Sequence, residues 1–114
     1  MKKNKIEIEK LKQEIVERLK PLEPEKIILF GSYAYGEPNE DSDIDLFLIK
    51  DIEKNDIRTV QIEAGVKLFE LIKKYKIGFD VFVDSKKRVQ DRIDNVKDQF
   101  YSKILTEGKV IYGK

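Results

Sequence analysis

Cysteine and histidine are both absent from this chain of 114 residues. Without cysteine there are no disulfides and no thiolate metal sites. Without histidine there is no imidazole ligand, and the side chain most often used as a general base is missing. Any metal site must therefore be built from hard oxygen donors, and Mg²⁺ is the cation that suits them. Long apolar runs are lacking as well: stretches such as Ile27 to Phe30 and Leu46 to Ile49 fall far short of the ~20 residues that cross a bilayer. The basic start, Met1-Lys2-Lys3-Asn4-Lys5, is followed by no hydrophobic region and does not read as a signal peptide. Nor does one sign of charge dominate. With 23 Lys+Arg against 22 Asp+Glu the net charge is +1, which is no footprint for broad nucleic-acid or anionic-membrane binding. The profile is that of a single cytoplasmic domain over residues 1–114, without a membrane partner.

Periodicity predicts the order helix, strand, strand, helix, strand, helix. Ile8, Leu11, Ile15 and Leu19 place a helix from Ile6 to Leu19, ended by Pro21 and Pro24. Lys26 to Phe30 reads as a strand, Tyr33 to Tyr35 as one helical turn, and Gly36 to Asp41 as a loop. A second strand runs from Asp43 to Ile49. Ile57, Val60, Ala64, Leu68, Leu71 and Tyr75 mark a long helix from Asp56 to Tyr75. Gly65 inside it disfavours the helix by about 1 kcal/mol against Ala, which predicts a close backbone contact there. Ile77 to Val83 is the third strand, and one helical region from Lys86 to Glu107 keeps Val89, Ile93, Val96, Phe100 and Ile104 in register. Gly108 stops it, leaving a short extended piece, Val110-Ile111-Tyr112. The short link between the first two strands requires an antiparallel pair, and the long helix before the third favours a parallel one. The fold class is therefore α/β: a small mixed three-stranded sheet, with room for a short fourth strand, and helices packed mainly on one face.

Two places in this layout carry chemistry. Gly31-Ser32 closes the first strand, and such a turn offers backbone N–H groups and a hydroxyl to phosphate oxygens. After ten intervening residues, Asp43-Ile44-Asp45 opens the second strand with two carboxylates on one face. Asp80 stands inside the third strand, where an acid is unfavourable without a partner. Acids gathered on one face repel, so they either take up protons or hold a cation. An Asp-x-Asp pair alone arises about once by chance in so aspartate-rich a chain. Gly-Ser at one fixed offset before it lowers the joint expectation to about 0.002.

The stretch LFGSYAYGEPNEDSDIDLFLI (Leu29 to Ile49), then FDVFV (Phe79 to Val83) and ILTEGKVIYG (Ile104 to Gly113), resembles the nucleotidyltransferase superfamily that includes DNA polymerase β and kanamycin nucleotidyltransferase. More narrowly it is similar to the small prokaryotic branch called minimal nucleotidyltransferases, over nearly the whole chain. The resemblance implies a nucleotidyltransferase fold. In it Asp43, Asp45 and Asp80 are catalytic and hold two Mg²⁺ ions, while Gly31, Ser32, Asp43 and Asp45 bind the nucleoside triphosphate. Asp80 would also help to deprotonate the acceptor hydroxyl. In this family such proteins are commonly encoded with a small helical HEPN-domain protein, often an RNase toxin, and act as its antitoxin by adding AMP from ATP to a tyrosine. The chain departs from many relatives in carrying Tyr35 where they have Arg, which removes a cationic phosphate contact from that position.

Plainer readings stand beside each assignment. Ser32 can cap a helical turn, and the acids from Glu37 to Asp45 can form a solvated edge. Tyr33 and Tyr35 can pack or stack on a base. Asp41 and Asp84 read as surface acids, and Lys86-Lys87-Arg88 as a solvated helix start. Phe47, Ile49 and Phe82 share the face of the acids, so the last helix or another protein must cover them. A lone catalytic core has no evident acceptor-binding domain, which leaves homo- and hetero-oligomers open. Two rival functions also remain: an antitoxin that works by binding alone, and an aminoglycoside-type nucleotidyltransferase that needs a second chain.

Overall fold

The computed structural model describes residues 8–36 and 42–113. The expected loop residues 37–41, Asp41 among them, and the first two residues of the expected first helix lie outside that range. The helix α1 covers Ile8–Leu19 and runs into a 3₁₀ turn, Lys20–Leu22, with Pro21 in its first turn. Then come β1 (Lys26–Phe30), the single turn α2 (Ser32–Tyr35), β2 (Ile44–Ile49) and the long α3 (Ile57–Tyr75). The chain continues through β3 (Phe79–Asp84), α4 (Lys86–Asp91), α5 (Gln99–Glu107) and β4 (Lys109–Tyr112). Among the described residues no helix is long and apolar enough to cross a membrane.

The sheet order is β3-β2-β1-β4. β1 pairs antiparallel with β2, and β2 pairs parallel with β3, as the two connection lengths require. The terminal extended piece is a true fourth strand, antiparallel to β1 with a register shift between Ile27 and Ile28.

Strand alternation divides the core in two. One face turns Ile27, Leu29, Ile44, Leu46, Leu48 and Val83 toward α1 and α3, which bury Leu11, Ile15, Leu19, Val60, Ala64, Leu68 and Leu71 against them. Each such side chain contributes ~1.5–3 kcal/mol by leaving water. Glu14 also ties the two helices together, accepting from Lys74 at 2.9 Å and from the Tyr75 hydroxyl at 2.9 Å. The other face carries Ile28, Phe30, Phe47 and Ile49, covered by Val89 of α4 and Ile104 of α5. The two longest helices thus share one face, as expected, while the C-terminal helical stretch provides the second layer.

Four expectations are overturned. The C-terminal stretch is not one helix: Arg92–Val96 widens into a π-helical turn, Lys97 takes φ +59°, and Asp98 starts α5 by accepting the Tyr101 N–H. The break shifts the helical phase, so Val96 and Phe100 are exposed instead of lying in one stripe with Val89 and Ile104. Asp84 is no surface acid. It is buried at the end of β3 and accepts from the Ser85 amide, from Arg88 Nε at 2.6 Å and from the Tyr101 hydroxyl at 2.9 Å. Arg88 also donates to the Ile52 carbonyl, so it is not part of a solvated helix start.

Gly65 is the fourth. It is exposed on α3, and a methyl group there would have no atom within 4 Å. Among the described residues no close contact accounts for this glycine. Gly65→Ala is therefore expected to stabilise the protein by about 0.5–1 kcal/mol through helix propensity and a less flexible unfolded chain. Chemical denaturation measures it; a destabilised variant would refute the open surroundings of Gly65.

Candidate active site

The site assembles where β1 ends and β2 and β3 begin. Asp45 is the register partner of Phe30 on one side and of Asp80 on the other. The two carboxylates therefore sit side by side across the parallel pair, on the face that carries Phe47 and Phe82. Asp43 lies just before β2 and is exposed, like Asp80, while Asp45 is half-buried.

Two glycines make room for these acids. A side chain on Gly31 would collide with the Asp45 carboxylate, and its φ of +77° already favours glycine. A Cβ on Gly78, just ahead of β3, would stand 2.6 Å from Asp43 Oδ1. Gly31 also caps α2: its carbonyl accepts from the Ala34 amide at 2.9 Å and the Tyr35 amide at 3.1 Å. Ser32 is then the first helical residue and not the cap, and its hydroxyl has no hydrogen-bond partner among the described residues. The capping role is filled without it.

The electrostatics centre on Asp45, whose carboxyl is pushed up to about 6. Burial is the largest cause, followed by the charge of Asp80, the charge of Asp43 and a hydrogen bond with Asp80. The three acids form a chain with Asp45 in the middle. Among the described residues they do not close into a ready-made cage of three acidic ligands. Such an open arrangement can keep a proton on Asp45, or exchange it for a cation that other oxygen ligands help to hold.

Tyr33 packs its ring against the larger core cluster, so it acts in packing and not in base stacking. Its hydroxyl is buried with no partner among the described residues. Burial, and then the charge of Asp43, raise its pKa. Tyr35 is exposed, and Lys103 of α5 holds its ammonium 4.9 Å from the ring centroid. A cation thus stands over the ring at position 35, although that position itself supplies none. Sequence reasoning missed Lys103, because nothing local to Ser-Lys-Ile links it to Tyr35, nearly seventy residues earlier.

Phe47 and Ile49 are covered by the chain itself, whereas Phe82 remains 38 % exposed. It joins Phe30 and Phe100 in a three-ring cluster, with centroids 5.5–5.8 Å apart.

The raised Asp45 carboxyl makes a prediction about stability without metal. Its folded pKa lies above the unfolded one, so between about pH 4 and 6 the folded state binds the extra proton. Stability falls as pH rises through that window and levels off above it. Thermal melts in EDTA should show this fall, and Asp45→Asn should remove it while raising the melting temperature at pH 7. A variant that melts lower than the parent at pH 7 would mark Asp45 as a structural partner instead.

The family model for the nucleotidyltransferase domain matches residues 8–110. A Methanocaldococcus jannaschii protein, provisionally named a protein adenylyltransferase, is 34% identical over 87 residues, covering 76% of this chain and 77% of the relative. Two solved structures share the fold. A toxin–antitoxin crystallised with AMP-PNP aligns with a TM-score of 0.53 at 20% identity, over 90% of this chain and 73% of that one. A mutant of the MntA–HpeT toxin–antitoxin, with two aspartates changed to glutamate, aligns with a TM-score of 0.55 at 19% identity and the same coverage.

Proposed function

This chain belongs to the nucleotidyltransferase domain family, and we propose that it moves AMP from ATP to a hydroxyl of a protein partner. The partner in this reading is a small helical HEPN-domain RNase toxin, with the chain as its antitoxin. Residues 1–114 act as one domain in the cytoplasm. The observation that carries the reading is the side-by-side register of Asp45 and Asp80, with Asp43 and the Gly31–Ser32 turn beside them. The relative named for protein adenylyl transfer and the fold shared with toxin–antitoxin chains support a protein acceptor.

The donor set fits Mg²⁺. All its groups are carboxylate oxygens. Burial first, and then the charges of Asp80 and Asp43, keep a proton on Asp45 up to about pH 6, and a divalent cation relieves that repulsion among the acids. Asp43, Asp45 and Asp80 would hold it, with two ions in the full complement. Bound there, Mg²⁺ supplies charge neutralisation for the triphosphate and for the attacking and leaving oxygens. The chain's own groups do the rest. The Ser32 hydroxyl and adjacent amides bind the β- and γ-phosphates, and Asp80 takes the proton of the acceptor hydroxyl. The freed oxygen bonds to the α-phosphorus, the bond to the β-phosphate oxygen breaks, and pyrophosphate leaves.

Open carboxylates hold Mg²⁺ weakly until phosphate oxygens join them, so metal and nucleotide should bind interdependently. Calorimetry of ATP binding is expected to give an affinity at least roughly tenfold higher with Mg²⁺ than in EDTA. Equal affinities would count against the two-ion site.

The acceptor is tested by mass. The protein, its encoded partner, ATP and Mg²⁺ are incubated together, and the intact masses are read. The partner should gain one or more adenylyl units, and Asp43→Asn and Asp45→Asn should each abolish the gain. Tight complex formation and full neutralisation without a mass change, retained in Asp43→Asn, would replace this reading with an antitoxin acting by binding alone. Transfer to an aminoglycoside but not to the protein would replace it with small-molecule modification.

A further inference from the structure

The aromatic cluster beside the acids is only partly used by the core. Phe30 is buried, but Phe82 and Phe100 remain 38 % and 45 % exposed. Phe82 lies two residues beyond Asp80 on β3 and on the same face, about 7 Å along the strand. Phe30 lies opposite Asp45 in the sheet register. The rings of Phe30 and Phe82 nevertheless meet, with centroids 5.7 Å apart, although β2 runs between their strands. They therefore reach over the sheet next to Asp45. Phe100 completes the group from α5, its ring 5.5 Å from that of Phe82 and inclined to it by 62°. Two half-exposed ring planes meet as an open corner at the edge of the carboxylate site.

We propose that this corner, Phe82 and Phe100, seats the nucleobase of the substrate nucleotide. The inference rests on the nucleotide-transfer reading above and adds to it the residues that hold the base. Size argues for a base over a protein surface. A stable protein interface draws about 800 Å² from each partner, whereas two phenyl rings at this exposure offer on the order of 150–200 Å². One planar heterocycle matches that area. Reach agrees, because the step along β3 from Asp80 to Phe82 is comparable to the span from an α-phosphate across the ribose to the middle of a base. The rings themselves carry no polar atom, so they favour the face of a base without reading its edge.

Calorimetry on the full chain tests this with two probes, Mg²⁺·AMP-PNP and Mg²⁺·tripolyphosphate. Phe82→Leu and Phe100→Leu keep apolar bulk but remove the π-faces. Each should weaken AMP-PNP binding about tenfold and leave tripolyphosphate binding unchanged, and Phe82→Tyr should restore AMP-PNP binding. AMP-PNP binding equal to wild type in both leucine variants would overturn the assignment. Raised acceptor KM in those variants would then give the corner to the acceptor. Equal loss of both probes would also overturn it, by making the rings supports of the phosphate site. Wild-type protein that binds neither probe would remove the nucleotide reading itself, and this inference with it.

Discussion

The parallel pairing of β2 with β3 imposes the constraint on which the rest of the site depends. Its register sets Asp45 directly beside Asp80, and two carboxylates held that close oppose the fold that holds them. The opposition is met by packing elsewhere on the same strands. Ile44, Leu46 and Leu48 are fully buried from β2, and a slip of one residue would turn all of them outward. Register is therefore fixed by the apolar face, and the acids are carried along on the other. Gly31 and Gly78 complete the arrangement by leaving space for the Asp45 and Asp43 carboxylates. A side chain at either position would displace an acid without touching the core.

This division explains which features the sequence could reveal. Strand alternation and the helical stripes of α1 and α3 follow from local periodicity, and those elements appear where the pattern puts them. The same alternation, with Gly31-Ser32 and Asp43-x-Asp45 at fixed spacing, brings Asp43, Asp45 and Asp80 to one end of the sheet. What failed was decided by contacts between distant residues. Val89, Ile93, Val96, Phe100 and Ile104 fit one helical stripe, yet Lys97 adopts a left-handed conformation that no glycine announced. Asp98 was the available signal, since aspartate favours a helix N-cap. Asp84 reads as an exposed acid in Val-Asp-Ser, because its partners Arg88 and Tyr101 sit on α4 and α5. The phenol of Tyr101 is correspondingly pushed up to about 12, by burial first and then by Asp84.

The two faces of the sheet also differ in what they do. The α1 and α3 side is a closed apolar layer, tied at its rim by Glu14 with Lys74 and Tyr75 and by Arg18 with Glu70. Exposed ion pairs of this kind contribute little, so the stability of that side lies in its buried side chains. The opposite side has fewer buried residues and leaves aromatic rings in solvent. It is also the side that faces the acids, so the less completely packed layer is the one available to substrate.

The break at Lys97 is the feature that makes this second layer useful. An unbroken helix from Lys86 to Glu107 would place Phe100 in line with Val89 and Ile104 and direct it into the core. With the π-helical turn and the left-handed Lys97 between them, α5 starts afresh at the Asp98 cap. Ile104 still fills the core, but Phe100 now meets Phe82 at the edge of the acids and Lys103 reaches the ring of Tyr35. One short helix thereby brings an apolar ring and a cation to opposite partners around the same end of the sheet. The irregularity that defeats a periodic reading of the C-terminal stretch is thus also what carries its side chains to the carboxylate site.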